Sequence, residues 1–144
     1  MNVADKQWVL TVVSPASGQL AVLRDGTALP SEIGPGATTP VELLLASIGT
    51  CFALSCWAAF ASRGLERMGF EVRVIGRKDA QPPSRLSSIN LRVTFDVSLP
   101  LVEAQAVIAS AERLCTVTNT MTFEPPCAIE LDVANGGGRN EAAT

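Results

Sequence analysis

The sequence predicts an α+β fold, and three patterns along the chain support this class. A stretch of uncharged residues from Leu43 to Ala61 follows a capping box, which is typical of a helix start. Ile89 to Leu99 alternates between apolar and polar side chains, as a strand with one buried face does. Strands and helices follow in the order ββα-ββα-β, and this order favours antiparallel hairpins packed on helices.

The composition indicates a globular protein and excludes several kinds of site. Of the 144 residues, 47% are hydrophobic and 17% are charged, and the formal charge of −3 argues against a nucleic-acid-binding protein. The chain has no histidine, which excludes a Ser-His-Asp triad, a Cys-His pair and any His-ligated metal. Its four cysteines include no C-x-x-C pair, which argues against zinc ribbons and thioredoxin-type motifs.

The first part of the chain is predicted to form two short strands and a loop. Gln7 to Val13 and Gly18 to Arg24 are the strands, and the turn between them contains Pro15. Asp25 to Thr38 is rich in glycine and proline and is predicted to be a loop. Because Met1 to Leu10 lacks the apolar core of a signal peptide, we expect a cytoplasmic protein whose thiols stay reduced.

A long helix follows this loop. Thr39 and Glu42 form the capping box, Pro40 occupies the first helical position, and Gly64 is suited to a left-handed cap after Arg63. Such a helix is about 35 Å long, and by length it is also a membrane-span candidate. Serine, threonine and glycine within it favour a helix buried in a soluble protein instead. Since a chain of this size can hardly enclose such a helix alone, we expect a homodimer.

The second half of the chain is predicted to contain three strands and a helix. The strands are Phe70 to Val74, Ile89 to Leu99 and Ile129 to Val133, and the helix is Leu101 to Leu114. Residues 1–134 are expected to form a single domain. Residues 135–144, with three consecutive glycines, are expected to be a flexible tail.

The four cysteines are the candidate reactive groups, although all four could simply be small buried apolar residues. Cys51 and Cys56 face different sides of the long helix because five residues turn a helix by about 140° beyond one full turn. Cys115 ends the second helix, and a helical turn starting there would favour its thiolate. For Cys56 and Cys127 we favour a structural role.

Two motifs resemble those of the OsmC/Ohr family of thiol peroxidases. TPVELLLASIGTC, from Thr39 to Cys51, is similar to the family's first motif, and CTVTNT, from Cys115 to Thr120, is similar to its second. The resemblance extends over about Gln7 to Val133. It implies an intertwined α+β homodimer, in which antiparallel β-sheets pack on long central helices and two active sites lie near the dimer interface.

The resemblance also implies a reaction, the reduction of organic hydroperoxides to alcohols. The residue matching Cys51 is the peroxidatic cysteine, and the residue matching Cys115 resolves its sulfenic acid as a disulfide. An external dithiol, in some members a lipoylated protein, then reduces this disulfide. No bound cofactor, metal, nucleic acid or membrane is implied.

A thiolate in apolar surroundings needs a cation beside it, because burial alone favours the neutral thiol. The family uses an arginine held by a glutamate, and Arg24 and Glu42 are the candidates here. Glu42 lies one residue nearer to the cysteine than the family's glutamate, whose position is Val41, and Thr116 replaces the proline after the second cysteine. Arg24 could instead be a solvated arginine at a strand end, and Glu42 could serve only as a cap.

A second function remains open from the sequence. An OsmC-fold protein without catalysis, or with weak redox activity, could bind a small apolar ligand at the dimer interface. The apolar residues around Cys51, with Trp57 and Phe60 nearby, would suit such a ligand, although these aromatic residues are more often part of a core.

Overall fold

The computed structural model describes residues 6–96, 99–121 and 127–133, which form one six-stranded sheet with three helices. The strand order is β3-β2-β1-β4-β5-β6. The elements are β1 (Gln7–Ser14), β2 (Ala21–Arg24), β3 (Thr27–Ala28), α1 (Pro40–Ser62), β4 (Phe70–Lys78), β5 (Leu86–Phe95), α2 (Leu101–Leu114), α3 (Thr116–Thr120) and β6 (Ala128–Val133). Helix α1 packs on β1 and β4, and α2 packs on α1.

The predicted α+β class is confirmed, but the sheet is mixed rather than wholly antiparallel. Strand β6 pairs with β5 in parallel, with Asn90 opposite Ala128 and Phe95 opposite Val133. The reason is the connection, because α2 and α3 carry the chain back along the sheet before β6 begins. The expected flexible tail lies outside the described residues, and the intertwined homodimer stays a prediction.

The sequence analysis missed a hairpin in the segment predicted to be a loop. Asp25 and Gly26 have φ angles of 51° and 78°, and they connect β2 to the short β3. An Asp-Gly pair is the preferred sequence for this turn because both central residues need positive φ. The signal was therefore present in the sequence. The turn matters for function because Arg24 is the last residue of β2.

Both ends of α1 follow the sequence prediction. The Thr39 side chain accepts a hydrogen bond from the Glu42 backbone, and the Glu42 side chain accepts one from the Thr39 backbone. At the other end Gly64 has a φ of 68°, and the backbone amides of Gly64 and Leu65 bond to the carbonyls of Ala61 and Phe60. These two bonds form a Schellman motif, so both limits of the helix are encoded locally.

Close packing of α1 on the sheet sets the depth at which Cys51 lies. A Cβ atom added at Gly49 would lie 2.7 Å from a methyl group of Val74 and 2.8 Å from one of Val12. Only glycine allows the helix backbone to approach this closely. Helix α2 runs antiparallel to α1, since Arg63 at the end of α1 pairs with Glu103 near the start of α2. Because the two helices are antiparallel, Cys115, which follows α2, lies beside the middle of α1.

One side of α1 remains uncovered in the described chain. Leu43 and Leu54 are 42% and 49% exposed, and Ser47 and Ala58 are exposed on the same side. We call these four residues the α1 stripe. By length and composition α1 could also cross a membrane, with a mean hydropathy of 1.9, but half of that apolar stretch is buried inside the fold. The stripe is therefore the part of α1 that the rest of the described chain leaves exposed.

Candidate functional site

The two cysteines of the motifs meet in the fold although 64 positions separate them. Cys51 lies in the middle of α1 and is partly buried, and Cys115 lies between α2 and α3 and is fully buried. Their side chains lie near enough for Cys51 to raise the pKa of Cys115, and both are free thiols. The packing of α3 and α2 on α1 produces this contact. The site therefore contains two neighbouring thiols, the groups that a two-electron oxidant converts to a disulfide.

The surroundings of Cys115 keep its thiol protonated. Burial raises the pKa of Cys115, and the adjacent Cys51 contributes to the rise. The hydroxyl and the backbone amide of Thr118 interact with the sulfur and partly oppose these effects. Helix α3 begins directly after Cys115, which is the condition that the sequence analysis set for a favoured thiolate, but desolvation outweighs the donors at the start of this helix. The sequence analysis did not single out Thr118, although it lies three residues after Cys115, which is the spacing between a helix N-cap and the residue that it typically contacts.

Arg24 and Glu42 form an ion pair, a possibility that the sequence analysis left open beside a cap-only role for Glu42. One guanidinium nitrogen of Arg24 donates to both carboxylate oxygens of Glu42, at 2.9 Å each. The same nitrogen donates to the carbonyl of Ala37 at 3.3 Å. The Glu42 side chain is 4% exposed and that of Arg24 is 37% exposed. Glu42 is thus both a helix cap and the residue that holds the arginine.

The pKa of the Glu42 carboxyl is lowered in the folded protein. Burial acts to raise the pKa, but the backbone amide of Thr39, hydrogen bonding by Arg24 and the charge of Arg24 together outweigh it. Glu42 is therefore ionised at neutral pH. Since its pKa is lower in the folded than in the unfolded chain, ionised Glu42 stabilises the fold above about pH 4.3, the unfolded pKa, and this contribution disappears as the pH falls further.

The lowered pKa of Glu42 predicts that this residue makes the stability of the fold sensitive to acid. Acidification from pH 6 to pH 3.5 should lower the free energy of unfolding less in the Glu42→Gln variant than in the wild type. The expected difference between the two changes is on the order of 1 kcal/mol, because solvent screens the partly exposed partner Arg24. Urea unfolding midpoints at the two pH values measure this. The matched control is Glu103→Gln, at an exposed ion pair, which should retain the wild-type response. Equal responses of the wild type and Glu42→Gln would contradict the assignment.

Within one chain the ion pair does not reach Cys51. Glu42 and Cys51 are nine residues apart on one continuous helix, which corresponds to about 13 Å along the axis and two and a half turns. Their side chains therefore leave opposite faces of α1. The structure brings Cys51 to Cys115 and Arg24 to Glu42, and these two pairs lie in different parts of the subunit.

Two further cysteines lie near Cys115. Burial raises the pKa of Cys56 far above its usual range and that of Cys127 to about 11, and in both cases the charge of Cys115 adds to the effect. Cys56 is fully buried in α1, and Cys127 is partly buried just before β6. In residues 6–96, 99–121 and 127–133, no cluster of three or more acidic, cysteine or histidine side chains is arranged to hold a metal.

The aromatic residues beside Cys51 in sequence belong to the structural framework. Phe60 packs against Phe70 and Phe95 with ring centroids about 6 Å apart. Trp57 donates a hydrogen bond to the Ser14 hydroxyl at 2.7 Å, and the Arg67 guanidinium lies 4.0 Å from its ring centre. Both aromatic residues therefore have partners of their own in the core.

Comparison with known proteins identifies related folds. Residues 33–130 match the model of a family described as OsmC-like protein. This segment contains Glu42 and both motif cysteines, whereas Arg24 lies before it. No curated protein matches the chain at a significant level.

Several solved structures resemble this one over most of its length. An organic hydroperoxide resistance protein OsmC from Legionella pneumophila has 18% identity and a TM-score of 0.59, covering 87% of this chain and 96% of its own. An OsmC like protein from Mycoplasma pneumoniae has 17% identity and a TM-score of 0.61, covering 90% and 96%. An OsmC-like hydroperoxide resistance protein from Jannaschia has 22% identity and a TM-score of 0.51, covering 81% and 89%. At these identities the likeness concerns the fold.

Proposed function

The chain belongs to the OsmC-like protein family, and from this premise we propose that it is a thiol-dependent peroxidase that reduces organic hydroperoxides to alcohols. The observation that carries the proposal is that α2 and α3 pack on α1 and bring Cys115 near Cys51 inside the fold. Two thiols in contact are what a peroxidase needs to be oxidised and then resolved. The absence of histidine leaves cysteine as the strongest nucleophile in the chain.

In the first step the Cys51 thiolate attacks the peroxide. A bond forms between its sulfur and the outer oxygen, the O–O bond breaks, and the alkoxide takes up a proton to leave as the alcohol. Cys51 is thereby oxidised to a sulfenic acid. Because Cys51 is partly rather than fully buried, a hydroperoxide can approach it from outside. The apolar residues next to Cys51 in α1 suit the alkyl group of an organic hydroperoxide better than they suit hydrogen peroxide.

In the second step Cys115 resolves the sulfenic acid. Its sulfur attacks that of Cys51, the hydroxyl leaves as water with the thiol proton of Cys115, and a disulfide forms. Resolution protects Cys51, because an unresolved sulfenic acid is oxidised further and irreversibly. An external dithiol, such as the lipoyl group of a lipoylated protein, then returns two electrons and restores both thiols. We infer that this cycle takes place in the reducing cytoplasm.

Arg24 enters the mechanism through a second copy of the chain. Glu42 lies five residues before Ser47, and Cys51 lies four residues after it. If two α1 helices cross antiparallel near Ser47, along the α1 stripe, each Cys51 lies level with the Glu42 of the partner subunit. We infer a homodimer in which the partner's Arg24, oriented by Glu42, stabilises the Cys51 thiolate. Dimerisation would also bury Leu43 and Leu54.

The test of this function is a hydroperoxide assay with purified protein. We expect an alkyl hydroperoxide to be consumed catalytically when dihydrolipoamide is supplied, with glutathione as a poorer reductant because it is a monothiol. Protein whose thiols have been alkylated beforehand is the control. Consumption no faster than in this control would contradict the peroxidase proposal and favour the ligand-binding alternative, since the α1 stripe could equally hold an apolar ligand at the dimer interface.

A further inference from the structure

We propose that Cys127 is a third redox-active thiol of this site, which captures Cys115 in a new disulfide and thereby releases Cys51 for another turnover. The relay rests on the proposed function, because the peroxidase cycle supplies the Cys51–Cys115 disulfide on which Cys127 acts. It assigns a role to a cysteine that lies outside both motifs.

The register of the sheet sets Cys127 on the side that faces the helices. Ala128, the first residue of β6, pairs with Asn90 of β5, so the same parallel register aligns Cys127 with Ile89. Side chains alternate along a strand, and position 127 therefore shares a face with Ile129 and Leu131. Both of these residues are buried against the helical layer. Helix α2, which ends at Cys115, contacts β6.

The same register sets the level of Cys127 along α1. Ile89 pairs with Gly76, and Gly76 lies against the side chain of Leu45. Leu45 precedes Cys51 by six residues, or about 9 Å along the helix. Measured along the axis of α1, the level at which β6 begins is therefore less than two helical turns from the level of Cys51. Cys115 contributes to the raised pKa of Cys127, in agreement with this proximity.

Cys127 is better suited to this exchange than Cys56, although both lie near Cys115. Cys56 is fully buried, and its position in the middle of α1 prevents its backbone from moving. Cys127 is partly exposed and precedes β6, so its backbone is not held by the strand ladder. A disulfide requires Cα atoms about 5.5–6 Å apart, and a residue outside the strand ladder adjusts to that distance more readily than one in the middle of a helix.

The exchange is balanced and needs no further oxidant. The Cys127 thiolate attacks the Cys115 sulfur, the bond between Cys51 and Cys115 breaks, and Cys51 leaves as a thiolate. The proton lost by Cys127 goes to solvent. One disulfide replaces another, so the external dithiol still supplies both electrons. After the exchange, the external dithiol reacts with the Cys115–Cys127 disulfide, in which Cys127 is partly exposed.

The pH dependence of the exchange follows from the reacting group. Because burial raises the pKa of Cys127 to about 11, only a small fraction of this thiol is ionised at neutral pH. The thiolate is the attacking species, so the rate of disulfide transfer should rise about tenfold for each pH unit between pH 7 and pH 9. Proximity to Cys115 compensates for the low thiolate fraction.

Disulfide mapping tests the relay in two arms. In the first arm, Cys51→Ser is treated with one equivalent of diamide, acid-quenched, alkylated and mapped by mass spectrometry. We expect a Cys115–Cys127 bridge, and its absence would overturn the relay while leaving the proposed function untouched. In the second arm, reduced wild type receives one equivalent of an alkyl hydroperoxide. The bridge should move from Cys51–Cys115 to Cys115–Cys127 with time, and a bridge that stays at Cys51–Cys115 would also overturn the relay.

Matched variants separate this result from a failure of the proposed function. Cys127→Ser should retain the Cys51–Cys115 bridge and consume about one equivalent of hydroperoxide fewer than wild type before Cys51 is overoxidised. Cys56→Ser should behave as wild type. If diamide yields the Cys115–Cys127 bridge but the wild type consumes no hydroperoxide, the pairing of the two thiols stands. The peroxidase cycle, and with it the relay role of that pair, is then overturned.

Discussion

Replacing Cys51 by serine is expected to lower the rate of hydroperoxide consumption at least about a thousandfold. The physical reason is that a serine hydroxyl is not ionised at neutral pH and cannot take up an oxygen atom from the peroxide, as a thiolate does when it becomes a sulfenic acid. The two side chains have nearly the same shape, so the fold should persist. The measurement is hydroperoxide consumption with dihydrolipoamide, with thermal unfolding recorded alongside.

Cys56→Ser is the matched control on the same helix. Cys56 is buried five residues further along α1, and a serine there can bond to a carbonyl one turn earlier, as Ser55 does with that of Cys51 at 2.8 Å. We expect its activity to stay within about twofold of wild type, because Cys56 takes no part in the cycle. If Cys51→Ser retained the wild-type rate, Cys51 would not be the peroxidatic residue. If both variants lost activity equally, the loss would have a structural cause.

A subunit that carries Arg24→Ala and a subunit that carries Cys51→Ser should restore each other's activity when they form a mixed dimer. Each variant alone should be impaired, Arg24→Ala by about a hundredfold, since the Cys51 thiolate would lose its counter-charge in a partly buried site. In a mixed dimer one site combines an intact Cys51 with Arg24 of the partner subunit. Co-expression with two different tags and tandem purification isolates these dimers, and we expect about half of the wild-type activity per dimer.

The outcome distinguishes two arrangements of the site. If Arg24 served the Cys51 of its own chain, neither site in the mixed dimer would be intact and its activity would be no higher than that of the parents. Mixed dimers that carry Arg24→Ala on both subunits are the control for purification and tag effects. Restoration of activity would also demonstrate the dimer itself. A monomer at micromolar concentration in analytical ultracentrifugation would contradict this part of the proposal.

Much of the fold was predictable because its signals are local. The limits of α1 depend on Thr39, Glu42 and Gly64, which act through hydrogen bonds within one turn of the helix. The alternation in β5 marked its buried face correctly. The hairpin at Asp25 and Gly26 was missed although its Asp-Gly signal is equally local. The parallel pairing of β6 was not predicted, because strand direction depends on how α2 and α3 pack.

The candidate site was predictable in its parts but not in its arrangement. The two motifs identified Cys51 and Cys115, and the chemistry of a thiolate pointed to Arg24. Neither motif could tell whether Glu42 would only cap the helix or also hold the arginine. The ion pair exists because the turn after β2 directs Arg24 towards the start of α1, which is a tertiary relation. No pattern in the sequence indicates that Cys127 lies near Cys115.

By itself the sequence determined the α+β class, the limits of the long helix, the absence of histidine chemistry and the two cysteines that carry the family motifs. These properties depend on residue type and on spacings of a few residues. Only the tertiary structure decided which side chains meet. It brought Cys51 to Cys115, bound Arg24 to Glu42 and left the α1 stripe uncovered. Contacts between residues far apart in sequence arise from packing the whole chain at once, because local hydrogen bonds and periodicity act over only a few residues.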